Sequence, residues 1–559
     1  MAFLRTIQEV AIKMISSQTA KHKTRSKSRH RSEHLDDKFS RRIYLCGLPK
    51  YYSNRGKKMR LMLFQRSGLS NRGLTFRHLE MISVYFFLVL IGMNFVGGLN
   101  KGSLIIGYYV FMCFVAFIAL YFLRKKKLFG ELYQRVLFVM AFAFLSRIFI
   151  LYFINLTPRG DYAGYLSVAS ELYNGLISNP KYYGVFPHAL NYPLFLSGIY
   201  SIIGEHTWIP RGINLIIGVF EVGASAYIFN AIMSPFWGML AGLVVALSPS
   251  SMLFTLLSGG ESIYSGLIMC ALCSFAVYQK AVKYRQLFLV FTSLLMAIAN
   301  YFRPTSIVLL VAICIVFLFY ERRKLMNTLI DMVCLIVPFL LVIVLFSALI
   351  SSVSGYSHLQ KGYGWNLYVG ANQITNGTWN KEDGLIFQEK FLNNADPSAI
   401  QSYFFEQGVL RYQKMGGAVI KLFKNKIQLW SDESYLPYVV THWQTLYTRF
   451  KSDGYQETFR VITNIYNIIF LTGAFFCIII SSMSDKVHVI VKTLSLYSIG
   501  SVILFLFIES AGRYKGGYYS IISALGIYGW YKMYTYIPIL KALCGFSKRH
   551  TTDSEKKAN

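Results

Sequence analysis

Charge is what this sequence has least of. Only 15% of its 559 residues are Asp, Glu, Lys or Arg, while 54% are hydrophobic, and the apolar residues gather into long runs instead of recurring at core spacing. A bilayer core of ~30 Å needs about 20 apolar residues per helix, and a water-soluble chain has no use for so many runs of that length. Acidic residues are the scarcer sign, 26 against 57 basic ones. The net charge of +31 suggests nucleic acid until it is located along the chain: residues 1–80 hold 19 Lys and Arg against five Asp and Glu, and most other cations sit in short loops between apolar runs. That is how topology signals are distributed, so no nucleic-acid partner is expected.

Cysteine is sparse as well, eight in all, mostly inside apolar runs. Cys270 and Cys273 form a Cys-x-x-Cys with no second pair to complete a metal site, so the cysteines read as small core residues without a disulfide framework. There is no P-loop, dinucleotide fingerprint, zinc-protease helix or Gly-x-Ser-x-Gly elbow. Charges near span centres are limited to Arg147 and Glu221, and no inverted repeat of broken helices is evident, which argues against an ion-coupled transporter. The opening stretch carries Arg5, Glu9 and Lys13 and no apolar h-region, so no cleavable signal peptide is expected.

What is present is a basic tail over residues 1–80, then apolar runs. In the tail, Phe3, Leu4, Ile7, Val10, Ala11, Met14 and Ile15 share one helical face, which suits a short interfacial helix. The stretch from Lys21 to Arg31 would bind anionic headgroups at about 1 kcal/mol per basic residue, or else stay solvated. With the tail inside, spans are expected at 81–98, 103–123, 134–154, 211–233, 236–257, 262–279, 286–301, 305–320, 328–350, 462–482, 487–508 and 517–535. This threading puts Arg124 to Lys127, Lys280, Lys283 and Arg285, Arg322 to Lys324, and the tail 537–559 with Lys548 and Arg549 in the cytosol, as the positive-inside rule asks. The first two spans occupy 81–128. A transmembrane module follows over 129–350, with an outer loop at 155–205 in which Pro193 to Gly204 is too short and interrupted to span. Residues 351–460 form an aromatic extracytoplasmic segment, and 461–536 the last spans.

By this threading Asp161, Glu261, Arg303, Glu509 and Arg513 all emerge at the outer face, and three of the five are carboxylates, which headgroup anchors seldom are. Asp161 follows Pro158-Arg159-Gly160, and Glu261 follows Ser258-Gly259-Gly260. Each reads either as a helix N-cap or as a carboxylate placed to take a proton from an acceptor hydroxyl. Arg303, in Asn300-Tyr301-Phe302-Arg303-Pro304, would pair with a lipid phosphate or a carboxylate, or anchor at the interface. The run Glu509 to Tyr519 sets Arg513 and Lys515 among glycines and tyrosines, which suits a phosphate clamp or basic-aromatic anchoring. The outer segment holds four of the seven tryptophans, with Trp365-Asn366, Asn372 and Trp379 offering ring faces and amides to a sugar, or else forming the aromatic core of a folded loop. Asn376-Gly377-Thr378 has the form of a glycosylation sequon.

An early outer Asp before a Tyr-rich surface helix, then Asn191-Tyr192-Pro193-Leu194 to Gly204, resembles the GT-C glycosyltransferases of the protein O-mannosyltransferase and aminoarabinose transferase branch. Arg303-Pro304-Thr305, the segment Gly364 to Asn372, and Glu509 to Tyr514 are similar to those of Gram-positive members, and the resemblance covers roughly 130–535. It implies an all-α polytopic GT-C-like bundle of about a dozen transmembrane helices. The implied activity is transfer of a sugar from a polyprenyl-phosphate donor to a glycan, lipid or protein acceptor at the outer face. No cofactor is obligatory, a divalent metal is possible, and the oligomeric state is open. Asp161 and Glu261 would be the catalytic carboxylates, Arg303, Arg513 and Lys515 the holders of the donor phosphate, and Tyr165, Trp365, Asn366, Asn372, Trp379 and Glu509 the sugar or acceptor contacts. Many relatives carry paired acids at the first site, where this chain has Asp161 followed by Tyr162. A lipid-linked glycan flippase or exporter, or a glycan polymerase or ligase, are the competing functions.

Overall fold

The computed structural model describes residues 111–121, 129–320, 325–357, 364–393, 396–443, 453–483 and 488–543, all within one compact unit, Phe87–Asn559. The basic tail, the span expected at 81–98, and residues 103–110 and 122–123 of the next expected span lie outside the described residues.

Among the described residues the chain is helical with no β-strand. In chain order the helices are α1 (Phe111–Tyr121), α2 (Leu132–Phe153), α3 (Asp161–Tyr173), α4 (Pro180–Val185), α5 (His188–Ile203), α6 (Ile209–Ile232), α7 (Pro235–Ala246), α8 (Pro249–Phe254), α9 (Glu261–Lys280), α10 (Arg285–Phe302), α11 (Ile307–Phe319), α12 (Leu325–Ser354), α13 (Gly364–Gly370), α14 (Lys381–Asn393), α15 (Pro397–Met415), α16 (Ala418–Ser431), α17 (Tyr435–His442), α18 (Asp453–Met483), α19 (Val489–Phe507) and α20 (Tyr519–Leu543), with a 3-10 turn, η1 (Gly512–Gly517), before the last. Seven are long and apolar enough to cross a membrane: α2, α6, α9, α10, α12, α18 and α19. The chain is a multi-pass membrane protein.

The helix α6 is central, packed by α2, α7, α9 and α20, while α9 leans on α10 and α10 on α12. Gly218, Gly223 and Gly266 make these approaches possible, since a Cβ on Gly223 would lie 2.7 Å from the Met140 sulfur. The outward row Val333, Val337, Leu340, Leu341, Val344 and Leu345 on α12 is exposed and uniformly apolar, a face suited to acyl chains and not to water.

The expected span 236–257 is broken. Its apolar run is continuous, but Pro249 has no N–H to give to Val245, so α7 stops at Ala246 and α8 restarts at Pro249 with the Ser248 hydroxyl accepting from the Ser251 N–H (3.4 Å). The stretch 193–204, too short and interrupted to span, lies in the helix α5 with Pro193 inside it, and α5 pairs with the surface helix α3.

The segment expected at 351–460 folds into α13 to α17. Its Trp365, Tyr368 and Phe404 form an aromatic core with Phe186 at the end of α4, the Trp365 and Phe404 rings lying 4.9 Å apart and edge-on. Asp383 ties this unit together, accepting from Arg411 (2.6 Å), Asn372 (2.8 Å) and Asn380 (2.9 Å). The six described cysteines are free.

Candidate functional site

Helix ends converge at one end of the bundle. Gly160, at φ 56°, turns the chain into α3, so Asp161 occupies the first helical position and not the cap. The capping reading fails for Glu261 too: Gly260 is the N-cap, and neither carboxylate bonds to its own helix start. Both reach across to cations instead. Asp161 Oδ2 lies 2.5 Å from Arg513 Nη1, and Glu261 Oε1 is paired with Arg303 Nη2. The Tyr162 hydroxyl donates to Glu261 at 3.0 Å, linking α3 to the start of α9. Tyr514 lies near both cations, its ring centroid 5.1 Å from the Arg303 guanidinium carbon and 5.4 Å from that of Arg513.

Accessibility separates the two carboxylates. The Asp161 side chain is 53% exposed and that of Glu261 only 4%, with Tyr162 and Arg303 both on its Oε1. Burial opposes the charge on both guanidiniums, but Glu261 beside Arg303, and Tyr514, Tyr165 and Asp161 around Arg513, hold both above the ordinary arginine range. They are permanent cations. Glu509 is raised by its burial, against the pull of Arg513 and of the Tyr514 hydroxyl, which donates to it at 3.1 Å.

Aromatic rings floor the site. Tyr165 stands edge-on to Tyr162 (6.2 Å) and Tyr192 (5.9 Å), and Trp443 packs on Tyr162 at 5.8 Å. Gly516 and Gly517 let η1 lie flat on protein rings, where a Cβ on Gly516 would sit 2.8 Å from Phe254 and one on Gly517 2.5 Å from Tyr264. Lys515 accordingly turns inward, 4% exposed, and pairs with Glu433 at 2.8 Å, whose other oxygen accepts from the Tyr519 hydroxyl (2.5 Å). Burial raises Glu433, with Lys515 acting against it.

The structure therefore brings together Asp161, Glu261, Arg303, Arg513, Glu509 and Tyr165, and places the other candidates outside that cluster. Trp365 is buried in the aromatic core, the side-chain oxygen of Asn372 is spent on the Ile374 N–H (3.0 Å), and Trp379 is exposed on the outer segment. Asn366 contributes its backbone carbonyl to the Glu509 N–H (2.8 Å), while Gly377 does the same for Ser510 (2.9 Å). Glu433 and Lys426 escaped the sequence reading, and Tyr514 entered it only as the last residue of the Glu509-to-Tyr514 motif. Lys426 is fully buried, donating to the carbonyls of Leu506 (2.9 Å) and Ile508 (2.8 Å), so it closes the end of α19 that leads to Glu509. The Glu433–Lys515 pair spans elements far apart in sequence, which no local motif announces.

Among the described residues no three His, Cys, Asp or Glu side chains come together as a metal site requires. Asp161 and Glu261 are each held by a guanidinium, so the donor set does not fit a divalent cation.

No family model matches the chain, and no curated protein matches it. Among solved structures, the chain is similar to the Archaeoglobus fulgidus oligosaccharyltransferase in its apo form, at 13% identity over 73% of this chain and 52% of that one, with a TM-score of 0.41. The same archaeal enzyme in complex with an inhibitory peptide and a dolichol-phosphate gives 10% identity, the same coverage and a TM-score of 0.39. ArnT from Cupriavidus metallidurans bound to undecaprenyl phosphate gives 14% identity over 71% of this chain and 78% of that one, with a TM-score of 0.34. The chain spans about half the length of the archaeal enzyme.

Proposed function

We propose that this protein is a GT-C-type membrane glycosyltransferase that moves a sugar from a polyprenyl-phosphate donor to a cell-envelope glycan, lipid or protein acceptor at the outer face. The observation that carries the reading is the paired cluster Asp161–Arg513 and Glu261–Arg303, assembled from separate segments at one end of the bundle around Tyr514. Its motif order agrees with the family resemblance of the sequence.

In this reading Asp161, the accessible carboxylate, takes the proton of the acceptor hydroxyl as its oxygen attacks the anomeric carbon. The bond from that carbon to the phosphate oxygen breaks, and its electron pair leaves with the lipid phosphate. Arg303 and Arg513, both held as cations, stabilise the phosphate as its charge develops. Glu261 holds Arg303 in place and is the less accessible of the two acids, its side chain 4% exposed and its Oε1 shared by Arg303 and Tyr162. Lys515 serves the fold through Glu433.

The test is transfer of radiolabelled sugar from polyprenyl-phosphate sugars to membrane extracts by the protein reconstituted in liposomes. Asp161→Asn and Arg513→Ala should each lower turnover at least tenfold, about 1.4 kcal/mol of barrier. A smaller loss in both, at normal expression, would remove these residue roles. Movement of lipid-linked glycan between leaflets without transfer would make the protein a transporter.

A further inference from the structure

Beside the ionic cluster lies a cavity of about 160 Å³, bounded by α5, α10, the outer segment and the lipid-facing helix α12. Its polar lining is His188, Asn191, Asn300, Asn366, Gln401 and Ser347, and among the described residues it includes no Asp, Glu, Lys or Arg. No lining side chain would give a charged ring enclosed there a direct ion-pair partner for the hydration it loses, which is costly. Amides carry both donor and acceptor, as hydroxyls do, so this lining suits an uncharged polyol.

Two amides have hydrogen-bonding capacity to spare. Asn191 is 6% exposed, and its Nδ2 donates to the Tyr301 carbonyl while its Oδ1 is buried without a partner. A buried acceptor left so costs about 1–3 kcal/mol, which a ligand hydroxyl would relieve. The Oδ1 of Asn300 accepts from Ser306 at 3.0 Å, and its NH2 group has no protein partner among the described residues. Gln401, by contrast, is fixed at both ends, donating to the Val185 carbonyl (2.9 Å) and accepting from the Trp365 N–H (3.0 Å), and acts as a rigid wall. Tyr301 and Phe346, stacked at 4.3 Å, supply an apolar surface for the C–H face of a ring.

Size and position narrow the ligand. The volume is far above the ~10–15 Å³ one water needs and below the ~300 Å³ at which larger ligand pockets begin, so it fits a single ring and not an oligosaccharide. Pro304 lines it directly after Arg303, and the fields of Arg303, Arg513 and Asp161 all reach His188. We infer that this cavity is the seat of one uncharged, monosaccharide-sized ring, recognised through Asn191 and Asn300 next to the Arg303–Arg513 phosphate site. The inference rests on the proposed glycosyl transfer and narrows it to neutral sugars, carried either by the lipid phosphate or by the acceptor.

The experiment is equilibrium binding to the full-length protein in nanodiscs. The probes are bare polyprenyl phosphate, polyprenyl-phosphate glucose, galactose and mannose, the same lipid bearing an amino sugar or a uronic acid, and free methyl hexosides. At least one neutral lipid-linked sugar should bind tenfold or more tighter than the bare lipid phosphate and than either charged sugar, ~1.4 kcal/mol. Asn191→Leu and Asn300→Leu should each abolish that gain and leave the bare lipid phosphate bound as before. Asn300→Asp keeps the oxygen that Ser306 bonds, guards against misfolding, and should move the preference toward the amino sugar. If methyl hexosides lose binding in these variants while lipid-linked sugars do not, the ring belongs to the acceptor, which also supports the cavity assignment. Indifference of both the lipid-linked sugars and the free hexosides to all three variants overturns it, as does equal binding of charged and neutral lipid-linked sugars when the hexosides are indifferent too. Failure of the proposed reaction would appear separately, as no binding of bare polyprenyl phosphate and no transfer, with the hexoside measurement still deciding the cavity.

Discussion

His188 stands where the cavity meets the cluster, and its titration follows from that position. Enclosure by the surrounding protein, then Arg303 and Arg513, push its pKa down toward about 4, with Asp161 pulling the other way and the exposed part of the side chain moderating the shift. An unfolded chain returns the imidazole to about 6.5. Between those values the unfolded state binds the proton and the fold does not, so the stability linked to His188 is complete above about pH 6.5 and is lost as pH falls toward 4. Thermal unfolding of wild type and His188→Asn in detergent from pH 4.5 to 7.5 should show the wild type losing ground to the variant as the medium acidifies. Parallel curves would mean that His188 does not titrate as its surroundings dictate. The residues of the cluster itself were legible because Pro and Gly punctuate the helix ends that carry Asp161, Glu261 and Arg303. His188 and Glu433 were not, since an imidazole in an aromatic stretch or an acid in a polar segment becomes informative only when its distant neighbours are in place.

At the scale of elements, hydrophobic run length located most spans, because a helix in lipid must be apolar for its whole length. It failed at 236–257, where apolarity continues through a break that Pro249 imposes, and it could not resolve α13 to α17, whose burial comes from one another and not from lipid. Close helix contacts are a further property that run length does not record. The helices α18 and α20 meet through glycines: a Cβ on Gly473 would lie 2.7 Å from Trp530 Nε1 and 2.8 Å from the Gly526 carbonyl carbon, and one on Gly529 2.7 Å from that of Gly473. Without a hydrophobic drive between helices in lipid, such backbone approach is the main source of their adhesion. Gly473→Val should therefore destabilise the protein by about 1–3 kcal/mol, as overpacking does, read as a lower thermal unfolding midpoint in detergent. An unchanged midpoint would show that the two helices are not held at this distance.

For the whole molecule the remaining question is which way the cluster faces. The end of the bundle opposite Asp161 and Arg513 carries Lys280, Lys283 and Arg285, with Arg285 paired to Asp331 at 3.3 Å, and the positive-inside rule assigns such an end to the cytosol. Three exposed positions report on this: Trp208 (61% exposed) before α6 and Ile374 (89%) in the outer segment on the cluster side, and Val282 (95%) beside Lys283. Cysteines introduced there can be read against a quiet background, since the six described native cysteines are buried or half-buried, once Cys46 and Cys544 are replaced by Ser. In intact cells a membrane-impermeant thiol reagent should label Trp208→Cys and Ile374→Cys and reach Val282→Cys only after permeabilisation. The reverse pattern would put the cluster in the cytosol, where a lipid-linked sugar could be met only on the inner leaflet. The acceptor would then be a cytosolic intermediate and not a component of the finished envelope, so this labelling decides the class of acceptor before any sugar is identified.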